Sequence, residues 1–260
     1  MKIGILSKRT EKFTGKIKRY FESRGHQVSV YTANNLCIND SLLENDFYIL
    51  KSKHLLYLYA GHFLEANKIP VIPNTNISYI HKDRIESYFA LKKIGLLVPS
   101  TYMGYVNTLK SKLQSSHFPL ISKSIFGSGS RGLKVYNSIK YFDFQGEEPL
   151  YLEKFIEGNH YLAYFIENHI CICEKQPLTN EHSEMTLIES DKEIEKCLMN
   201  WKNKNKLLFG HLDLVRENNT NKLYVVDAGT FPEFTNWKYQ INPVSSVCEL
   251  IIKQYQEISK

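Results

Sequence analysis

Apolar runs and helix-spaced apolar positions alternate along the first eighty residues. KIGILS, starting at Lys2, reads as a strand; Phe13, Ile17, Tyr20 and Phe21 then recur at helical spacing until Gly25 closes the segment. QVSVYT and DFYIL predict two more strands, SKHLLYLYAGHFLEANK a helix, and IPVIP a strand bounded by prolines. KDRIESYFALKKIG predicts a helix that stops at Gly95, with Pro99 just beyond. Strands alternating with helices imply a parallel α/β sheet.

The pattern then changes. FPLISKSIF and LKVYN predict antiparallel strands around a Gly/Ser loop, and LYLEKFIEG begins a third run. HYLAYFIENHICICEKQ reads as a hairpin turning at Glu167 and Asn168. After a helix over EIEKCLMNWKNKNK come two strands, FGHLDLVRE and KLYVVDAG, joined by NNTN; NPVSSVCELIIKQYQEIS closes the chain as a helix. An α/β segment followed by α+β layers leaves clefts between layers where small ligands bind.

The bulk numbers narrow the partners. The 260 residues suffice for one large domain or two to three small ones, and 43% apolar with 23% charged positions is ordinary for a globular chain. No apolar run reaches the ~20 residues of a membrane span. The apolar part of the start is too short for a secretory signal, so a cytoplasmic protein without membrane partners is expected. A net charge of +6 favours an anionic ligand, whereas the scatter of the lysines gives no nucleic-acid groove. Five cysteines without metal-type spacing read as reduced structural thiols, with Cys171 and Cys173 on one face of a strand.

Three motifs carry candidate chemistry. In LISKSIFGSGSRG, Lys123 shares the strand parity of Ile121 and Ile125, so a cation lies on an apolar face and calls for an anion. Directly after it, Gly127, Ser128, Gly129, Ser130 and Arg131 supply backbone amides, hydroxyls and a guanidinium suited to phosphate. An ordinary flexible hairpin loop reads the same way, and the segment is not a P-loop. Asp213 and Asp227 fall roughly opposite each other on adjacent strands amid Leu212, Leu214, Val225 and Val226. Such oxygens suit Mg²⁺, and solvent-facing aspartates on a half-exposed hairpin are the plain alternative. Glu153 and Lys154 stand in an apolar run whose free edge could receive an adenine, or could protect an edge strand.

The order of these pieces, D-[KR] before a helix, K-x-x-x-G-S-G-x-x-G, E-K-F-I-E-G, then a D-L-V strand and an acidic strand, resembles the ATP-grasp superfamily, and its RimK/LysX-like carboxylate–amine ligases most of all. The resemblance spans nearly the whole chain. It implies an α/β plus α+β architecture: an N-terminal Rossmann-like, pre-ATP-grasp α/β domain over 1–82, a small ATP-grasp subdomain over 83–152 with the glycine-rich loop, and a C-terminal subdomain over 153–260 with the metal site. ATP and Mg²⁺, or Mn²⁺, are then the expected cofactors.

By that resemblance Arg84 stands where the family usually has a phosphate-contacting lysine, and Lys123 matches the lysine on the nucleotide phosphates. Gly127, Ser128, Gly129 and Ser130 match the loop that covers the phosphates. Glu153, Lys154, Phe155 and Ile156 match the adenine hinge, and His160 falls where a ribose-binding acid is common. Arg131, in the loop, and Lys175, where relatives carry a basic residue facing the γ-phosphate or acyl phosphate, are the expected catalytic cations. Asp213 and Asp227 match the magnesium carboxylates. The sequence departs at DAGTFPEF, where Gly229 stands in place of a metal-binding asparagine.

The resemblance implies an ATP-dependent ligase that joins a small carboxylic acid, an amino acid or peptide, to an amine through an acyl phosphate. An ATP-grasp kinase like the inositol polyphosphate kinases, acting on a phosphorylated substrate, and a non-catalytic nucleotide-binding member are the alternatives. Relatives are often dimers or tetramers, which leaves a homo-oligomer open.

Overall fold

β1 (Lys2–Leu6) is buried at four of its five positions and pairs in parallel with β2 (Gln27–Tyr31) and with β3 (Phe47–Leu50). β4 (Val71–Ile72) extends β3, giving the order β2-β1-β3-β4. A strand covered on both faces needs a continuous apolar run, and FYIL of β3 is buried throughout. α1 (Lys12–Glu22) places Phe13, Ile17 and Phe21 one turn apart in the core on one side of this sheet. α2 (Leu55–Ala66) contributes Tyr57, Leu58 and Leu64 to the core on the other. In the computed structural model, residues 1–126, 133–142, 149–178, 185–239 and 241–259 are described.

α3 (Thr75–Ile80) and α4 (Arg84–Lys93) meet at a tight corner. Asp83 makes that corner by accepting the otherwise unpaired N–H groups of Ile85 at 2.8 Å and Glu86 at 3.1 Å. A small antiparallel sheet follows, ordered β5-β8-β6-β7, from β5 (Thr101–Gly104), β6 (Leu120–Lys123), β7 (Lys134–Tyr136) and β8 (Leu150–Lys154). α5 (Val106–Lys112) sets Leu109 into its core with Phe118, Leu120 and Leu152.

The third sheet is the largest, ordered β11-β10-β9-β12-β13. It comprises β9 (Gly158–Ile166), β10 (His169–Lys175), β11 (Thr186–Ile188), β12 (Phe209–Glu217) and β13 (Leu223–Gly229). The period of two along β9 sorts its faces. Tyr161, Ala163 and Phe165 pack with Trp201 of α6 (Lys192–Asn205) and with Leu91 and Leu96. Leu162, Tyr164 and Ile166 pack with α1 and with α7 (Pro243–Ile258). Each such fully buried large side chain contributes about 1.5–3 kcal/mol. The large sheet is therefore packed on both faces, and residues at one end of it line a cleft shared with the other two sheets.

Boundaries between the three parts are blurred in two places. β8 continues to Lys154 within the small sheet, and α4 lends Leu91 to the core of the large one. All five cysteines are free thiols, with Cys171 and Cys173 buried on the shared face that strand alternation requires. Among the described residues no helix is long and apolar enough to cross a membrane.

Candidate functional site

A cleft of about 720 Å³ opens where the three sheets meet. Its rear wall is the exposed end of the large sheet. β12 and β13 pair so that Asp213 lies directly across from Asp227, and the register slips immediately after that rung. The slip leaves Val226 without a partner in the ladder, as a β-bulge does, and bulges re-aim neighbouring side chains. Lys123, at the end of β6 in the small sheet, donates from Nζ to the Val226 carbonyl at 3.1 Å and ion-pairs with Glu153 of β8. Its ammonium thus touches two sheets at once.

Each carboxylate of the cleft has its own cation. Glu153 pairs with Lys123, Asp213 with Lys175 of β10, Asp227 with Arg84 at 3.6 Å, and Glu233 with Lys51 at 2.8 Å. Arg84 is held in turn by Nε donating to the Ser124 carbonyl at 3.1 Å. Although burial works the other way, Arg84, Lys53 and Lys123 together hold the Asp227 carboxyl far below its ordinary range. His160 is neutral, since burial and Lys175 lower it to about 4. Burial and the neighbouring Glu153 raise the Tyr151 phenol.

The hinge segment lies between the small and large sheets. The N–H groups of Lys154 and Phe155 are already given to the Ser100 and Pro119 carbonyls, at 2.8 and 3.0 Å. Lys154 sends its ammonium backwards to the carbonyls of His117 and Phe118, at 3.3 and 2.7 Å. Ile121, Ile156, Leu162, Val215 and Val225 line the same cleft and make an apolar slot beside the hinge. A flat, apolar, edge-polar group fits that slot, and a polyphosphate fits the cations beyond it.

Arg84, Lys123, Glu153, Lys154, Phe155, Ile156, His160, Lys175, Asp213 and Asp227 all line this one cleft. Gly127, Ser128, Gly129, Ser130 and Arg131 lie outside the described residues. The departure at Gly229 has a physical cause. Gly229 faces His211 across β12 and β13, and a Cβ added to it would meet His211 Cε1 at 1.9 Å. The imidazole occupies the space where a larger residue would project, so no side chain can be restored there without moving it.

Sequence reasoning missed the contribution of the first sheet. Ser7, Lys8 and Arg9 follow β1, and Lys51, Ser52 and Lys53 follow β3; all line the cleft. The signal was present, because parallel strands present ligands at their carboxyl ends and both strands run directly into basic residues. His81 was missed too. Its Nε2 accepts from the Trp201 indole at 3.0 Å, so Nδ1 bears the proton and donates to Ser87 Oγ at 3.1 Å. Burial, together with Lys53, lowers this imidazole to about 3.

Among the described residues no group of three or more His, Cys, Asp or Glu side chains is placed to hold a metal ion. The Asp213–Asp227 rung offers two carboxylates, a donor set that fits Mg²⁺ when waters and substrate phosphates complete its shell.

No family sequence model matches this chain, and no curated protein matches it by sequence. Solved structures do match by shape. A RimK-domain ATP-grasp protein from Sphaerobacter thermophilus superposes with a TM-score of 0.79 over 96% of this chain and 98% of its own, at 11% identity. A RiPP-associated ATP-grasp ligase from Chryseobacterium gregarium, solved with ADP and a leader and core peptide, gives 0.71 over 97% of each chain at 14% identity. D-alanine–D-alanine ligase from Bacillus anthracis, solved with ATP, gives 0.70 over 99% of this chain and 98% of its own at 16% identity. Likeness at such identities speaks for architecture, and the architecture of this chain is the ATP-grasp fold.

Proposed function

We propose that the protein is an ATP-dependent carboxylate–amine ligase. The supporting observation is the Asp213–Asp227 rung facing Lys123 in a cleft that also holds Arg84 and Lys175. On this reading adenine lies in the slot beside Glu153 to Ile156, with His160 near the ribose. Arg84, Lys123 and Lys175 exchange their carboxylate partners for phosphate oxygens, which bind them with the added strength of charge assistance. Asp213 and Asp227 are the carboxylates that would hold magnesium, and the ion would screen the phosphates from one another.

The chemistry runs in two steps. A carboxylate oxygen of the acid attacks the γ-phosphorus, the bond to the β–γ bridging oxygen breaks, and ADP leaves. The amine nitrogen then attacks the acyl carbon, the carbon–oxygen bond to phosphate breaks, and the amine proton passes to solvent as phosphate departs. Lys123, Arg84 and Lys175 offset the negative charge that collects on the transferring group. The peptide and amino-acid ligases among the structural neighbours support this class of reaction.

A kinase on the same fold is the second reading, favoured by the many cations of the cleft. Incubation with ATP, Mg²⁺ and pools of acids and amines separates the two. A ligase releases phosphate only when acid and amine are both present, whereas a kinase gives a phosphorylated product with no amine. Absence of ADP formation with every acceptor pool overturns both.

A further inference from the structure

Between Lys8 and Arg24 the sequence holds seven lysines and arginines against two glutamates. Most of the net charge of +6 is therefore carried by one segment, the loop after β1 and helix α1. Part of it has partners. Lys18 pairs with Glu22, the Arg24 guanidinium lies 3.6 Å over the Tyr20 ring, and Lys12 acts on Glu233, a residue of the cleft. Lys8, Arg9, Lys16 and Arg19 remain; all four are exposed, and none has a carboxylate partner among the described residues. Glu249 of the adjoining α7 accepts instead from the Tyr20 hydroxyl at 3.2 Å.

These four cations make one surface. α1 buries Phe13, Ile17 and Phe21, so Lys16 and Arg19, three positions apart, fall together on its solvent side. Gly15 lets the Arg19 side chain lie back along the helix: a Cβ added there would stand 3.7 Å from Arg19 Nη1 and 3.0 Å from the Thr10 carbonyl oxygen. The stripe thus runs toward Arg9 and Lys8, which line the cleft. It is one helix face wide, bordered by Glu11 and the Lys18–Glu22 pair. None of the exposed large apolar side chains lies between Lys8 and Arg24, so the stripe offers no ring for stacking a base and no wedge for entering a bilayer. An extended polypeptide suits it better. Its same-side carboxylates recur about every 7 Å, within reach of long cations set about one helical turn apart.

We propose that this face of α1 is a docking surface for an acidic polypeptide, one end of which enters the cleft past Lys8 and Arg9 as the carboxylate acceptor. The ligase reading is needed only for what happens at that end. The surface itself stands on the charge of α1.

The test is fluorescence anisotropy of a labelled decaglutamate peptide, with a Ser-Gly peptide of equal length as control. Decaglutamate is expected to bind about tenfold or more tightly than the control at about 50 mM salt. The advantage should vanish at about 0.5 M, where the screening length falls to about 4 Å. Lys16 and Arg19 are exposed and lie outside the cleft lining, so the Lys16→Glu, Arg19→Glu double variant should fold. It is expected to bind decaglutamate about tenfold or more weakly while its AMP-PNP affinity stays within about twofold of the parent. Equal affinity for the two peptides, or decaglutamate binding unchanged in the double variant, overturns the proposal. So does displacement of the peptide by AMP-PNP with Mg²⁺, which would seat it in the triphosphate position. A single-stranded RNA decamer or phosphatidylserine vesicles bound more tightly than decaglutamate, and released by the same double variant, also overturn it by giving the stripe another occupant. ADP release with decaglutamate and a pool of amines judges the ligase reading separately. Its absence with peptide binding intact counts against that reading and leaves the docking surface in place.

Discussion

The two ends of the cleft solve the burial of charge differently. At the hinge end each carboxylate is matched to one cation, as Lys175 is to Asp213 and Lys123 to Glu153. At the end formed by β1 and β3, Lys51 pairs with Glu233, and Lys8, Arg9 and Lys53 add further positive charge. A buried charge with a partner is stable as it stands, and a crowd of like charges is stable only with something added. The first end is thus paired but exchangeable, and the second keeps an excess of positive charge. That contrast separates residues whose partners a ligand must displace from residues that attract an anion through their summed field.

The sharpest way to break the contrast is at the carboxylate rung. Asp213→Asn or Asp227→Asn should lower ATP turnover by about a hundredfold or more, because a charge facing the phosphates is lost while the shape is kept. Steady-state ADP release at several magnesium concentrations reads it, and turnover near that of the parent would remove both residues from the chemistry. Next in size is Gly229→Asn, which forces a side chain onto the His211 ring. Overpacking of this kind costs about 1–3 kcal/mol, and the companion change His211→Ala should recover most of it in denaturant melts. A Gly229→Asn protein as stable as the parent would mean that the imidazole yields freely.

Lys123→Met should weaken AMP-PNP binding about tenfold, because the ammonium that joins the small and large sheets is lost. Affinity equal to that of the parent would take Lys123 out of the nucleotide site. At neutral pH the smallest effect belongs to His81, and it grows only in acid. This imidazole is lowered to about 3 in the folded protein from an ordinary 6.5, so the unfolded chain binds the extra proton between those values. Its contribution is intact above pH 6.5 and falls as the pH drops toward 3, by up to about 1.4 kcal/mol per pH unit. His81→Gln keeps an acceptor for the Trp201 indole and removes the titration, so its stability should slope less between pH 6.5 and 4.

Much of the architecture was legible because its periods are strong. The β12–β13 hairpin, the Glu167–Asn168 turn and the alternation of β1 to β4 all follow from runs of apolar residues at spacings of two or near four. α3, β5, α5 and β11 were not anticipated, since each is short and supplies few buried residues to set a period. Within the site, the opposition of Asp213 and Asp227 could be counted across the turn, but the bulge at Val226 could not, because it comes from a slip in pairing. Lys123 was readable from parity alone. The cations after β1 and β3 escaped because they stand in ordinary polar loops, and only the convergence of three sheets turns them into one surface.

The chain from Trp201 to His81 to Ser87 has a mechanical consequence. It fixes the corner that carries Lys82 and Arg84 to a fully buried indole on the far side of the large sheet. Two of the cleft's positive charges are thereby mounted on a support that core packing does not allow to drift. The corner between α3 and α4 is in that sense built as a bracket, with its footing in the core and its charged arm in the cleft.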